Sequence, residues 1–303
     1  MPSIQTIAPC LWLDDQAEEA AGFYTSVFNH SRIIGISRYP EVGQEAHGKP
    51  PGSVMTVEFE LNGEPFTALN GGPVFRFTPS ISFFVPCESK KEVDGLWEKL
   101  SAGGTALMPL QKYPWSERYG WVQDKYGLSW QIMLVEDGQA TRQIAPALMF
   151  TGEQAGRAEE AMRFYTSVFD HAKIDEVFRY GEGEEPDQAG TIKYAAFTLG
   201  DQPFKAMDSN HEHGFTFNEA VSLQVNCRTQ DEVDYYWEKL SDGGEEVQCG
   251  WLKDRFGLSW QITPVRLIEM IMDADAEKMQ RAFAAMLKMK KIDIAELERA
   301  YAG

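Results

Sequence analysis

The sequence is poor in cysteine, histidine and basic residues, and it has no long apolar run. Its four cysteines show no CxxC spacing, which excludes a zinc knuckle and a disulfide framework. Lysine and arginine number 28 against 46 aspartates and glutamates, which gives a net charge of −18. Nucleic acid and anionic membranes are therefore not expected as partners, because both attract basic surfaces. Without a membrane-length apolar run or a basic, apolar leader, a soluble and cytoplasmic protein is expected.

Much of the sequence occurs twice, in the same order. The matched segments are 121–132 (WVQDKYGLSWQI) with 251–262 (WLKDRFGLSWQI), 23–28 (FYTSVF) with 164–169, and 92–100 (EVDGLWEKL) with 232–240. Because such long matches keep their order, the chain is interpreted as a tandem duplication. The offset between the copies falls from 141 to 130, so one loop is shorter in the second copy.

Each copy shows the pattern strand, helix and three strands twice over. Ile7–Leu13 is a short apolar run, and Asp14 or Asp15 can cap the helix that follows it. Val54–Leu61 alternates between apolar and polar residues, and Asn62-Gly63 then signals a tight hairpin. The chain is therefore predicted to be an α+β protein made of four βαβββ units.

The unit pattern sets the predicted domain boundaries. Residues 1–136 form the first repeat, 137–265 the second and 266–303 a C-terminal helical extension. Within the extension, residues 273–290 and 294–301 are predicted to form two amphipathic helices. Their methionine-rich stripe is expected to pack on the body of the protein or to seal a dimer.

Several segments resemble one branch of a known superfamily: IAPCLWL, FYTSVF, LNGEPFTALNGG, FNEAVSLQVNC and CGWLKDRFGLSWQI. They look like the PhnB-like branch of the vicinal oxygen chelate (glyoxalase/bleomycin-resistance) superfamily, often labelled 3-demethylubiquinone-9 3-methyltransferase-like. The resemblance covers residues 4–265, twice over. It implies paired βαβββ units around an eight-stranded, half-open cup that contains the ligand site. Single-copy members usually pair, which implies an intrachain pseudo-dimer here and leaves a homodimer open.

The methyltransferase label is not supported by the glycine pattern. Methyl transfer from S-adenosylmethionine normally uses a glycine-rich turn between a strand and a helix. The pairs Gly71-Gly72, Gly103-Gly104 and Gly243-Gly244 instead follow hairpins or end helices. Methyltransferase activity is therefore not expected.

The resemblance also implies a divalent metal held by histidine and glutamate side chains inside the cup. The last-strand position that holds a glutamate in metal-binding relatives falls on Gln131 and on Gln261, and a neutral amide is a poor ligand for such an ion. The other ligand positions fall near Ala8–Pro9, Ala145–Pro146, Ser80 and Ala220. The usual metal site is thus expected to be missing, and no cofactor is expected.

Two alternatives leave chemistry open in the second repeat. Asp208, His211 and His213 could bind a divalent metal together, although a polar loop at the rim of the cup explains them as well. Cys249 is a weak candidate for a nucleophile, because a thiol needs a base or a positive field to become a thiolate. A small buried cysteine is the competing interpretation.

The residues expected to line a ligand pocket are amides, aromatics and two polar residues at strand ends: Gln131, Gln261, Tyr113, Trp115, Trp251, Asn70 and Asp208. If Gln131 points into the cup, Trp130 must point into the helices, since successive strand residues face opposite sides. The main hypothesis is a metal-free protein that binds a small, partly apolar ligand. The alternative is a metal-dependent lyase, isomerase or dioxygenase with an atypical site in repeat 2.

Overall fold

The computed structural model describes residues 7–135 and 143–303. In repeat 1 the elements are β1 (Ile7–Leu13), α1 (Ala17–Val27), β2 (Arg32–Arg38), α2 (Gln44–His47), β3 (Val54–Leu61), β4 (Glu64–Asn70), β5 (Ile81–Cys87), α3 (Lys90–Ser101), β6 (Thr105–Tyr113), β7 (Ser116–Gln123) and β8 (Ser129–Leu134). The predicted strands and helices of this repeat are confirmed, and the short α2 was not predicted.

Repeat 2 follows the same order and continues into the C-terminal helices. Its elements are β9 (Ala145–Phe150), a 3-10 turn (Gly152–Gln154), α4 (Ala158–Val168), β10 (Lys173–Arg179), β11 (Ile192–Leu199), β12 (Gln202–Asp208), β13 (Val221–Cys227), α5 (Gln230–Ser241), β14 (Glu245–Glu246), β15 (Trp251–Lys253), β16 (Ser259–Pro264), α6 (Val265–Ile271), α7 (Ala276–Met286) and α8 (Ile294–Ala302). The helix expected over residues 273–290 is shorter at both ends: it starts after Asp275, whose side chain caps it, and it ends at Met286.

The four units pair across the repeats. Sheet A has the order β14-β15-β16-β13-β1-β4-β3-β2 and joins the first unit to the fourth. Sheet B has the order β10-β11-β12-β9-β5-β8-β7-β6 and joins the second unit to the third. Each eight-stranded sheet therefore takes one βαβββ unit from each copy of the duplication.

The two sheets share one apolar core. Helices α1 and α5 pack on sheet A, and α3 and α4 pack on sheet B. On these helix-covered faces, the ring of Phe66 in β4 lies 5.2 Å from the ring of Phe83 in β5, so the sheets touch each other. Trp130 and Trp260 are fully buried in the same core. Trp130 contacts Tyr24 of α1 and Trp260 contacts Tyr165 of α4, so the prediction that these tryptophans point toward the helices is confirmed.

The start of α1 is capped differently from the prediction. Gln16 occupies the N-cap position and its side chain forms no capping hydrogen bond, so the expectation for Asp14 or Asp15 was wrong. Instead, Oδ1 of Asn70, at the end of β4, accepts a hydrogen bond of 2.8 Å from the backbone N–H of Ala17. A residue distant in sequence can satisfy an unpaired N–H group as well as the adjacent residue can.

The C-terminal segment lies beside a hairpin of sheet A, β14–β15, that is much shorter than its counterpart β6–β7 in sheet B. Strands β6 and β7 have 9 and 8 residues, whereas their counterparts β14 and β15 have only 2 and 3. Beside the shortened hairpin, the backbone N–H groups of Cys249 and Gly250 donate to the carbonyls of Met289 and Lys290 at 2.8 Å each. The C-terminal segment thus satisfies backbone groups that a longer hairpin would have paired.

The same helices cover the face of sheet A that is opposite α1 and α5. Phe283 of α7 is buried against Tyr39 and Met55, and Leu69 of β4 packs on this cluster. The methyl group of Met272 lies over Gly35 of β2, at 2.7 Å from where a Cβ on that glycine would stand. We call the face of each sheet opposite its helices the open face, and α6–α8 cover part of the open face of sheet A.

Candidate functional site

The open face of sheet B is assembled by the register of its central strands. Ser82 in β5 lies beside Ser129 in β8 and Ala147 in β9, while Gln131 lies beside Phe84. Side chains alternate along each strand, so these residues point away from the buried Trp130 and Phe83. The central strands therefore present small, amide and hydroxyl side chains on one surface.

The amide of Gln131 is held at both ends on this face. Its Oε1 accepts a hydrogen bond of 2.8 Å from the hydroxyl of Tyr119, and its Nε2 donates to Oγ of Ser82 at 2.8 Å. The side chain is 5% exposed, so these bonds form in a buried setting. Burial raises the pKa of the Tyr119 hydroxyl, which keeps it protonated and able to donate. Gln131 is thus fixed in one orientation.

An aromatic cluster adjoins Gln131 at the edge of sheet B. The rings of Tyr113 and Trp115 are stacked at 5.0 Å, and both contact Tyr119, at 5.5 and 5.7 Å. Trp115 is 55% exposed, so the cluster extends from the buried amide to solvent. Three of the predicted pocket residues, Gln131, Tyr113 and Trp115, are brought together here.

Sheet A carries the equivalent residues in a different arrangement. Nε2 of Gln261 donates to Oγ of Ser222 at 2.9 Å, as Gln131 does to Ser82. Cys10 contacts both residues, and burial raises the pKa of its thiol to about 11. The ring of Trp251 packs edge-on against Trp12 at 5.9 Å. Two further predicted pocket residues, Gln261 and Trp251, therefore lie on the second open face.

Asn70 and Asp208 occupy equivalent places on the helix-covered faces. Asn70 caps α1, as described above. Oδ1 of Asp208 accepts from the N–H groups of Gly156 and Ala158, at 2.9 and 3.0 Å, and Oδ2 accepts from Ile192 at 2.8 Å. Both carboxylate oxygens of this 1% exposed residue are engaged by backbone donors. The structure therefore gives both residues a role in fixing helix starts, away from the Gln131 amide.

The histidine loop after β12 borders a separate cleft. A cavity of about 680 Å³ is lined by His211, His213, Phe215, Phe217 and Phe256, together with residues 152–155 at the 3-10 turn. Nε2 of His211 lies 3.6 Å from Oδ2 of the buried Asp187, and Nε2 of His213 lies 2.8 Å from Oγ of Ser209. Within residues 7–135 and 143–303, no three histidine, cysteine, aspartate or glutamate side chains form a group that could hold a metal ion.

The thiol of Cys249 lies in a setting that disfavours its ionisation. The residue is half-buried, and burial raises its pKa, which disfavours the thiolate. Its backbone is in the left-handed region at φ 60° and its N–H bonds the C-terminal segment. These features relate Cys249 to the shortened hairpin.

Two residues that bond Gln131 on the sheet B face, Ser82 and Tyr119, were not anticipated from the sequence. Ser82 in β5 and Tyr119 in β7 could be recognised only from the strand order, because β5 and β7 lie on either side of β8, which carries Gln131. For Ser82 a signal was present, because Ser222 stands at the matching place in the second copy. Tyr119 has Cys249 as its counterpart, so repeat comparison gives no such signal there.

Comparisons with known proteins agree with this architecture. A family model described as 3-demethylubiquinone-9 3-methyltransferase matches residues 5–133 and 142–263. The PhnB protein from Bacillus cereus is 43% identical over 43% of this chain and 100% of its own length, with a TM-score of 0.40. A protein from Staphylococcus aureus is 35% identical over 44% of this chain and 97% of its own, with a TM-score of 0.19. No curated protein matches the chain.

A longer structural match shows the fold. Glyoxalase I from Zea mays covers 84% of this chain and 89% of its own, at 13% identity and a TM-score of 0.52. The expected α+β fold of duplicated glyoxalase-like units, characteristic of the vicinal oxygen chelate superfamily, is confirmed. In the described part of the chain, no helix is both long and apolar enough to span a membrane.

Proposed function

The chain belongs to the 3-demethylubiquinone-9 3-methyltransferase family, the PhnB-like branch of the vicinal oxygen chelate superfamily, and from that premise we propose that it binds a small, partly apolar molecule on the open face of sheet B. The observation that carries this proposal is the fixed amide of Gln131 beside the aromatic cluster of Tyr113, Trp115 and Tyr119. Small-molecule sites typically combine aromatic walls with a few oriented polar groups.

The donor set at this position argues against the superfamily's usual metal. The oxygen of Gln131 already accepts a hydrogen bond from Tyr119, and its nitrogen donates to Ser82. The neighbouring strand offers Ala145 and Pro146, whose side chains have no donor atom. These residues do not fit a hard divalent ion, which prefers carboxylates and imidazoles. We infer that ligand binding here depends on hydrogen bonds and aromatic contacts.

Methyl transfer is not part of the proposal. The pairs Gly103-Gly104 and Gly243-Gly244 follow the ends of α3 and α5. A Cβ on Gly104 would stand 2.2 Å from the carbonyl oxygen of Gln123, so close packing of backbone explains this glycine. Neither pair forms the strand–glycine loop–helix unit that a nucleotide-type cofactor normally requires.

A thermal-shift screen with a small-molecule library would test the proposal. Gln131→Leu removes the oriented amide, and Gln261→Leu makes the same change on sheet A as a matched control. Compounds that raise the melting temperature of the wild type and of Gln261→Leu, but not of Gln131→Leu, would support binding at sheet B. Equal shifts in all three proteins, or no shift with any compound, would contradict it.

A second candidate function uses the cleft beside the histidine loop. The cavity of about 680 Å³ has the size of a small-molecule site, and both imidazoles of His211 and His213 border it. A metal-dependent lyase, isomerase or dioxygenase would need these imidazoles and the nearby Asp187, since Asp208 is bonded to backbone. The described side chains do not form such a group as they stand, so these three would have to move together to hold a metal ion. Elemental analysis of untagged protein, with His211 and His213 changed together to alanine, separates this candidate from the first. Stoichiometric metal that disappears in the double variant would favour it.

A further inference from the structure

We infer that the ligand of the sheet B face carries a negative charge, and that Lys205 of β12 binds that charge beside the rings of Phe84 and Tyr194. The inference rests on the proposed function, because it concerns the same face, and it names the chemical class of the ligand. The expected molecule is a small aromatic or apolar carboxylate, with its anionic group toward β12 and its apolar part along β5 and β8.

The strand register places Lys205 on the same face as Gln131. Lys205 pairs with Ala147 of β9, and Ala147 pairs with Ser82 of β5, whose hydroxyl accepts from the Gln131 amide. Ala206, the neighbour of Lys205 in β12, is fully buried on the helix-covered side. Lys205 therefore points to the open face, separated from Ser82 by the small side chain of Ala147 alone.

The ammonium group of Lys205 lies near two aromatic rings and forms no salt bridge with the residues that the structure describes. Its Nζ lies 5.3 Å from the ring centre of Phe84 and 5.4 Å from that of Tyr194. Across the described residues, no carboxylate lies within salt-bridge distance of this nitrogen, whereas Lys173 and Lys193 on the neighbouring strands each pair with one. Asp175 of β10 is close enough to interact electrostatically with Lys205, but its carboxylate is bonded to Lys173 and Thr198. A half-buried cation that forms no direct salt bridge is suited to an anionic ligand.

The place on sheet A that is equivalent to Lys205 holds a threonine next to a glutamate. Thr67 of β4 pairs with Cys10 of β1 and with Glu58 of β3, just as Lys205 pairs with Ala147 and with Ala196. Sheet A thus carries a carboxylate next to the position where sheet B carries an ammonium group.

Glu58 also differs from Lys205 in its surroundings. Burial raises the pKa of the Glu58 carboxyl, as expected for an acid removed from water. The two open faces therefore differ at this place: sheet B carries the ammonium group of Lys205, and sheet A carries the hydroxyl of Thr67 beside the carboxyl group of Glu58.

Three nearly isosteric probes separate charge recognition from simple apolar binding: benzoate, benzamide and benzylamine, which is cationic at neutral pH. Isothermal titration calorimetry on the full chain would measure the Kd of each probe. We expect benzoate to bind at least about tenfold more tightly than the other two, because an ionised acceptor strengthens a hydrogen bond from lysine. Lys205→Thr, which introduces the residue found at the equivalent Thr67, is expected to remove this preference.

Two further variants test whether the preference for benzoate depends on the charge at position 205. Lys193→Thr makes the same charge change on the adjacent strand, at an exposed lysine paired with Glu184, and is expected to leave the benzoate preference intact. Lys205→Glu is expected to reverse the preference toward benzylamine, which a merely unfolded variant could not do. Melting curves of each variant would verify that it is folded.

The outcomes distinguish this inference from the proposed function. Benzoate and benzamide binding with equal Kd, with both lost in Gln131→Leu and unchanged in Lys205→Thr, would overturn the charge assignment and leave ligand binding on sheet B standing. A benzoate preference that persists in Lys205→Thr would also overturn it. If none of the probes binds and the library screen finds no ligand either, both proposals fail.

Discussion

The hydroxyl of Tyr24 in α1 donates a 2.8 Å hydrogen bond to the carboxylate of Asp124, in the turn between β7 and β8. The same carboxylate oxygen accepts from the indole of Trp130 at 2.8 Å. The bond therefore joins a helix packed on sheet A to a turn of sheet B, inside the shared core. Repeat 2 contains the same arrangement, with Tyr165 donating to Asp254 at 2.7 Å.

Removing either hydroxyl is expected to destabilise the fold. Tyr24→Phe and Tyr165→Phe each leave a buried carboxylate with one donor fewer, and such a loss costs about 1–3 kcal/mol. We expect similar decreases in the free energy of unfolding for both variants, measured by urea denaturation. Tyr126→Phe is the control, since its hydroxyl donates to the exposed Glu19 and should matter little. A Tyr24→Phe protein as stable as Tyr126→Phe would contradict this prediction.

The duplicated units and most of their elements could be predicted because they depend on local patterns. Alternation in Val54–Leu61 and the apolar run Ile7–Leu13 gave strands whose bounds agree with the structure. Which units pair in one sheet could not be predicted, because all four have the same pattern and any two could form eight strands. The units join at the central strands, where β1 pairs with β13 and β5 pairs with β9, and these strands lie far apart in the sequence in sheet A and in different repeats in both sheets.

The candidate site was only partly predictable, for a related reason. Gln131, Tyr113 and Trp115 were identified from their positions in one repeat, and they do lie together. Asn70 and Asp208 were assigned to the pocket because they end strands, yet their oxygens accept hydrogen bonds from helix N–H groups. Side-chain direction at a strand end depends on the nearest unpaired donor, and sequence spacing does not reveal it.

The contact between α7 and sheet A is expected to contribute strongly to stability. Phe283 is 3% exposed and packs on Tyr39 and Met55, and phenylalanine-to-alanine changes in such positions cost about 3–5 kcal/mol. Phe283→Ala should therefore lower the unfolding midpoint in urea well below that of Glu277→Ala, an exposed change on the same helix. Equal midpoints for the two variants would mean that the C-terminal helices do not stabilise the sheet.

Glu159 at the start of α4 is expected to lend the protein pH-dependent stability. Hydrogen bonds from Arg179 and then Arg163 lower the pKa of its carboxyl to about 2. A carboxyl with a lowered folded-state pKa stabilises the protein above its ordinary pKa, and this contribution is lost as the pH falls toward the folded value.

The measurement compares the wild type with Glu159→Gln between pH 6 and pH 2. We expect the wild type to have the higher melting temperature at pH 6 and the difference to shrink steadily below about pH 4.5, the ordinary range of a glutamate. Arg179→Gln should show a smaller version of the same trend, because Arg163 still bonds the carboxylate. A constant difference across this range would show that the two arginines do not perturb Glu159.

The four thiols are expected to be unreactive in the folded protein. Burial raises the pKa of each one, to about 11 for Cys10 and about 12 for Cys227, and upward for Cys87 and Cys249. Since the thiolate is the reactive form, alkylation by iodoacetamide at pH 7.5 should be slow and should accelerate in denaturant.

Cys249 should be the first of the four to react, because it is half-buried while the others are fully buried. Mass spectrometry of the labelled protein, with Cys249→Ser as the control, identifies the site. The labelling rate should rise with pH beyond the range of an ordinary thiol. Rapid labelling of Cys249 with a midpoint below pH 7 would instead require a positive group near the thiol, and would restore its candidacy as a nucleophile. The raised pKa of Cys249 and the hydrogen bond from its N–H to the carbonyl of Met289 indicate a structural role. The residue joins the shortened hairpin to the C-terminal helices.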